Sequence, residues 1–161
     1  MKPTELLSLL QALHRDKLAL LVSHEAAARQ IGQYDFNNTY QNIIGREEIQ
    51  LSWVAAAIRD LGGSVDAEAP PTVEQSRAAT SAAALFDDDT KRALAFVDKW
   101  QSRIERITNA RHRGMLELVL GETLEHKRFF EQASAGRVDL LGRGAAGAGE
   151  RGRVMSGRWV E

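Results

Sequence analysis

The sequence predicts an all-α protein, and the choice of apolar residues is the first observation that indicates it. Alanine and leucine dominate over valine, isoleucine and threonine within a hydrophobic content of 43%, and aromatic residues make up only 6%. This composition favours helices, because β-branched and aromatic side chains favour strands instead. The second observation is that apolar residues recur at steps of three and four in four separate stretches, which is the spacing of a helix face. At 161 residues the chain is long enough to bury the core of one domain.

The first two predicted helices form a pair. The first runs from about Thr4, a residue suited to capping, to about Ile31, and Gly32 ends it. The second starts among the polar residues at 35–39 and ends at the glycines 62–63. The faces expected to point inwards are Leu7, Leu18, Leu21, Glu25 and Ala28 in the first helix, and Tyr40, Ile44, Glu47, Leu51, Val54, Ile58 and Leu61 in the second.

The third and fourth predicted helices form the second pair. The third begins near Asp87, in an acidic stretch that suits a helix N-terminus. The fourth runs from about Ala110 to Ser134. The inward faces are predicted to be Ala93, Val97, Trp100, Ile104 and Ile107 in the third helix, and Met115, Val119, Glu122, His126, Phe129 and Ala133 in the fourth.

The lengths of the connections indicate how the helices are arranged. Short connections within each pair predict two antiparallel hairpins. The linker at 62–86 is long enough to cross the whole bundle. It therefore permits two hairpins joined by one long crossover, although a simple up-down bundle with a long loop fits the same pattern. The bundle is predicted to occupy residues 1–134.

A flexible tail is predicted at 135–161, where glycine and alanine are frequent. It ends in a short apolar segment that contains Val154, Met155 and Trp159, side chains that are costly to leave in water. The segment is expected to dock on a partner protein, or on its own bundle or a second copy. Aromatic residues outside the apolar faces, Phe36 and Trp53, predict a homo-oligomer.

Composition excludes several classes of function. The 21 basic and 22 acidic residues are interleaved, so neither nucleic acid nor a membrane surface is expected as a partner. No apolar run is long enough to span a membrane, and the chain starts with an amphipathic helix, which predicts a cytoplasmic protein. Because the chain has no cysteine, any metal must be held by carboxylate, imidazole, amide or water.

The most informative pair of residues is Glu122 and His126, which lie one helical turn apart on a face that is otherwise apolar. A carboxylate in such a position needs a cation, which can be a metal, an arginine or a lysine. The remaining histidines, His14, His24 and His112, are interpreted as structural, because a lone histidine on a helix is usually a hydrogen-bonded core or boundary residue.

The segments Ile44-Gly-Arg-Glu47-Glu-Ile-Gln50-Leu and Leu118-Val-Leu-Gly-Glu122-Thr-Leu-Glu-His126 resemble the ferritin-like superfamily, and its rubrerythrin-type and small bacterial members most. The resemblance implies a four-helix bundle, two antiparallel hairpins joined by a long crossover, around a carboxylate-bridged metal pair. The family pattern has one Glu from each of two helices and a Glu-x-x-His pair from each of the others. This sequence departs from it, because Gln50 replaces the histidine expected three residues after Glu47 and Thr123 lies three before His126.

Two functional hypotheses follow. In the first, a metal-carboxylate centre binds iron or manganese and acts as an oxidoreductase, with oxygen or peroxide reacting at an open coordination position. Its ligands are Glu25, Glu47, Glu122 and His126, with Asp98 or Gln50 as further candidates. In the second, the bundle is not catalytic, and the buried carboxylates are neutralised by Lys17, Arg46 or Arg92. The chain then acts as an interaction or assembly module through its C-terminal tail.

Overall fold

The computed structural model describes residues 1–65 and 81–141. They form four helices: α1, Pro3–Ala28; α2, Tyr34–Asp60; α3, Ala82–Glu105; and α4, Ala110–Ser134. No strand occurs within these two ranges, so the all-α prediction is confirmed. Helix α1 packs on α2 and α3 packs on α4, and contacts of α1 with α3 and of α2 with α4 close a four-helix bundle.

The helix bounds differ most from the prediction at the start of α3. It begins at Ala82, five residues before the predicted Asp87, because the Ser81 hydroxyl accepts a hydrogen bond from the backbone N–H of Ala84. The turn that follows then buries the side chains of Leu85 and Phe86. Helix α4 has the predicted bounds, and its capping residue is Asn109.

Two predicted segments fall mostly outside the described part of the chain. Residues 66–80, the larger part of the predicted crossover, and residues 142–161, most of the predicted tail, lie outside it. The beginning of the tail is described, and it is not a free linker. Gly136 ends α4 with a φ of 88°, a conformation that favours glycine, and Leu140 then packs in the bundle core. Among the described helices, none is long and apolar enough to cross a membrane.

The core consists of two apolar clusters with a layer of polar side chains between them. The first cluster contains residues such as Leu10, Leu13, Ile58, Trp100 and Leu116. The second contains Ala27, Tyr40, Ile43, Phe86 and Phe130, among others. The polar side chains between the clusters, which we call the polar layer, are Lys17, His24, Glu47, Gln50, Thr123 and His126.

The predicted inward faces are correct for α3 and for most of α2. All five residues predicted to be buried in α3 are buried, as are Tyr40, Glu47, Leu51, Val54 and Ile58 in α2. In α2, Ile43 is buried in place of Ile44, which is partly exposed. Phe36 stacks edge-on against Phe86 at 4.9 Å between ring centroids, so part of its surface is covered within the bundle itself.

Candidate functional site

Lys17 lies at the centre of the polar layer. Its ammonium group donates to Glu47 Oε1 at 2.9 Å and to Thr123 Oγ1 at 3.2 Å. The ammonium nitrogen also lies 5.4 Å from the centroid of the Phe96 ring, a distance that allows cation–π attraction. The lysine side chain is 0% exposed, so its charge is neutralised inside the bundle and not in water. Four helices therefore meet at one ammonium group.

Glu47 carries the negative charge of the layer. Its second oxygen, Oε2, lies 2.8 Å from His24 Nδ1, which gives each carboxylate oxygen a close partner on α1. Burial raises the pKa of Glu47, but attraction to His24 and Lys17 and the hydrogen bond with His24 outweigh burial and lower the pKa to about 2. The carboxylate is therefore ionised at neutral pH.

Thr123 completes the coordination of the lysine from α4. Its hydroxyl donates to the backbone carbonyl of Val119, four residues earlier, at 2.8 Å, which leaves an oxygen lone pair for Lys17. The predicted inward face of α4 placed Glu122 at this position. The structure places Thr123 there instead, because one residue along a helix rotates the side chain by about 100°.

His126 lies beside the ion pair without bonding to it. Its Nδ1 is 3.9 Å from Glu47 Oε1, which is too long for a hydrogen bond. Burial lowers the pKa of His126 to about 4, and the nearby positive charge of Lys17 contributes to this, whereas Glu47 opposes it. The imidazole is therefore neutral at pH 7.

Glu122 forms a second charge pair at the edge of the layer, where its side chain is 20% exposed. It accepts hydrogen bonds from both Arg46 Nε and Arg46 Nη2 and from Gln50 Nε2. Burial raises the pKa of Glu122, but the hydrogen bonds from Arg46 and Gln50 outweigh it and the net shift is downwards. The same pairing raises the pKa of the Arg46 guanidinium. Arg46 is thus the cation of this carboxylate.

Several buried polar atoms of the layer have no hydrogen-bond partner among the described residues. They are His24 Nε2, Gln50 Oε1 and His126 Nδ1. Buried polar atoms are usually paired with protein or with ordered water. These three atoms are the part of the layer that retains capacity to bind a further group.

Of the four predicted metal ligands, the structure brings Glu47 and His126 into the polar layer, places Glu122 at its edge and leaves Glu25 apart. Glu25 lies at the surface, where its side chain is 38% exposed and 3.9 Å from the guanidinium of Arg29. It lines a shallow cleft of about 280 Å³ between α1 and α2. The buried face of α1 carries His24 instead, one position earlier in the chain. Asp98, the other carboxylate candidate, is exposed.

Lys17 and Arg46 are predicted from the sequence as possible neutralising cations, whereas His24 and Thr123 are site residues that the prediction lacks. A signal for His24 is present, because it lies seven residues, or two turns, after Lys17 and so shares its helix face. Within residues 1–65 and 81–141, no group of three or more His, Asp or Glu side chains is arranged to hold a metal ion.

No protein-family profile matches the chain, and neither a curated protein nor a solved structure is significantly similar to it. The functional interpretation therefore depends on the geometry of the polar layer and of the bundle surface.

Proposed function

We propose that this chain is a metal-independent helical bundle that serves as an interaction or assembly module. The observation that carries the proposal is the position of Lys17, whose ammonium group bonds a Glu47 oxygen that a metal ion would need. With Arg46 on Glu122, the two candidate carboxylates at the polar layer, Glu47 and Glu122, already have a protein cation. Such pairing allows a carboxylate to remain buried without a metal.

The proposed topology is ferritin-like, two antiparallel hairpins joined by a crossover through residues 66–80. Two contacts support it. The Gln11 side chain donates to the carbonyl of Ser64 at 3.0 Å, which joins the first half of α1 to the chain just after α2. The Ser134 hydroxyl donates to Asp87 at 2.6 Å, which joins the end of α4 to the first turns of α3.

The proposed interaction element is the C-terminal tail, which ends in the apolar segment around Trp159. A short apolar segment on a tether raises the local concentration of the bundle at whatever the segment binds. Truncation after Leu141 tests this, because it retains Leu140, which belongs to the core. We expect the truncated bundle to keep its melting temperature and to lose binding to the partner that the full chain captures.

Anaerobic loading with ferrous iron, followed by desalting and metal analysis, tests whether the bundle binds a metal ion. We expect the wild-type chain to retain no more iron than Glu47→Gln, since Lys17 already holds this carboxylate. Glu25→Gln is the matched control, because it removes an exposed carboxylate of the same chemistry. Stoichiometric iron in the wild type, lost in Glu47→Gln and kept in Glu25→Gln, would overturn the proposal.

One observation favours the second candidate, an iron or manganese carboxylate centre with oxidase or peroxide-handling activity. The unpaired atoms His24 Nε2, Gln50 Oε1 and His126 Nδ1 are of the nitrogen and oxygen types that bind these metals. In this candidate the Lys17 side chain must leave Glu47 before a metal enters. Lys17→Met should then retain more iron than the wild type, whereas the metal-independent proposal expects neither protein to retain stoichiometric iron.

A further inference from the structure

Three glycines inside helices have no explanation in the packing of the single chain. Gly45 lies in α2, and Gly114 and Gly121 lie in α4. A Cβ built on any of the three would meet no other atom within 4 Å. Glycine destabilises a helix interior relative to alanine, so its presence normally marks a close approach or a special backbone angle. No positive φ is found at these three positions.

The glycines alternate with exposed aliphatic residues. Leu118 lies four residues after Gly114 and three before Gly121, so the three form one stripe on α4. Leu118 is 49% exposed. On α2, Ile49 lies four residues after Gly45 and is 42% exposed. Each helix therefore presents a large apolar side chain beside open space.

The two stripes lie on the same side of the bundle. Arg46, which is adjacent to Gly45, donates to Glu122, which is adjacent to Gly121. Ile49 lies three residues after Arg46 and therefore shares its side of α2. We call the surface formed by Gly45, Ile49, Gly114, Leu118 and Gly121 the α2–α4 face.

We propose that the α2–α4 face is the interface of a homodimer in which a second copy of this chain packs the same face across a two-fold axis. In such an isologous contact, Leu118 and Ile49 of each copy fill the space beside the glycines of the other. The missing Cβ atoms allow the partner's helices to approach closely. This dimer interface depends neither on whether the bundle binds a metal nor on what the C-terminal tail binds.

The charges on α4 fit this two-fold arrangement. Arg111 and Glu125 are exposed, have opposite charges, and lie seven residues before and after Leu118. If α4 crosses its copy in antiparallel orientation at Leu118, Arg111 of each chain lies opposite Glu125 of the partner subunit. Within one chain, Glu125 is paired only with Arg128 on the same helix, at 2.9 Å, among the described contacts. Exposed pairs of this kind are weak and can be exchanged.

The outer surface of the two helices that carry the α2–α4 face is comparable in size with one side of a stable interface. A helix of 25 residues, such as α4, is about 37 Å long, and two adjacent helices are about 20 Å wide. Their outer surface is therefore about 700 Å² per copy, close to the roughly 800 Å² per partner of standard stable interfaces.

The oligomeric state of the full chain tests the proposal by light scattering after size exclusion over a range of concentrations. We expect a dimer for the wild type and a monomer with unchanged helical circular dichroism for Leu118→Arg. The matched control is Leu94→Arg on α3, where the leucine is similarly exposed at 42% but lies on another helix. This variant should remain a dimer.

Charge reversal tests the two-fold geometry separately. Arg111→Glu and Glu125→Arg should each raise the dimer dissociation constant about tenfold, because each change breaks two symmetry-related pairs. The double variant should restore the wild-type value. A wild-type monomer at every concentration, or a dimer that survives Leu118→Arg, overturns the proposal. If the wild type is a monomer and Leu118→Arg increases protease cleavage within residues 142–161, the α2–α4 face binds the tail and not a second copy. That result also overturns the proposal.

Discussion

The Lys17→Met substitution removes the ammonium group at the centre of the polar layer and keeps an unbranched side chain of similar volume. Lys17 and Glu47 are both 0% exposed, so the change leaves a carboxylate buried without its lysine. Removing one partner of a buried ion pair costs about 3–5 kcal/mol. His24 remains 2.8 Å from Glu47 and retains part of the stabilisation, so we expect a loss of about 3 kcal/mol at pH 7.

Urea denaturation followed by circular dichroism measures this loss. For a chain of 161 residues, about 3 kcal/mol corresponds to a fall of roughly 6–12 °C in the melting temperature. The double variant Lys17→Met/Glu47→Gln should recover much of the stability, because it has no unpaired buried charge. Lys99→Met is the control, since Lys99 pairs with Asp16 at 2.6 Å but is 50% exposed, and we expect it to cost less than about 1 kcal/mol.

The reasoning is refuted if Lys17→Met loses no more stability than Lys99→Met. It is also refuted if the double variant is less stable than Lys17→Met alone, because the carboxylate would then stabilise the bundle without the lysine. Neither result could be attributed to lost packing, since exchanging side chains of similar volume usually costs less than about 1.5 kcal/mol.

Three further predictions concern other contacts. Burial lowers the pKa of folded His126 to about 4, below about 6.5 in the unfolded chain, so the unfolded chain binds more protons between these values and stability rises with pH across this window. His126→Asn should flatten that rise in urea titrations at several pH values, and an unchanged slope would contradict it. Tyr40→Phe removes the hydroxyl that donates to the buried Asp89 carboxylate at 2.5 Å and should cost about 1–3 kcal/mol of unfolding free energy. Ser81→Ala removes the cap of α3 and should cost about 1 kcal/mol, with faster amide hydrogen exchange at Ala84; equal exchange rates would argue against the cap.

The fold could be predicted from the sequence largely because helical periodicity is a local property. The spacing of Val97, Trp100 and Ile104 gives the buried face of α3 directly, and all three are buried. The predicted start of α3 was wrong, because the acidic stretch near Asp87 is a weaker signal than the Ser81 cap together with the burial of Leu85 and Phe86. The path of residues 66–80 stays a prediction.

The site was harder to predict, because a face assignment that is wrong by one residue rotates the side chain by about 100°. That error placed Glu25 in the core of α1 where His24 lies, and Glu122 in the core of α4 where Thr123 lies. The pairing of Lys17 with Glu47 joins residues that are 30 positions apart. No local pattern determines which cation meets which carboxylate, since that depends on how the helices are aligned with one another.

The charged side chains between the two apolar clusters affect how the helices align along one another. A core of leucine and isoleucine alone would tolerate a shift of one helix along its neighbours by a turn, about 5.4 Å, because one leucine can replace another. The same shift of α1 would carry Lys17 out of reach of Glu47 and bring an aliphatic side chain against the carboxylate. We therefore expect the layer to fix the alignment of the helices. Its net contribution to stability can be small, yet a shifted α1 would leave Glu47 buried without its lysine, at a cost of several kcal/mol.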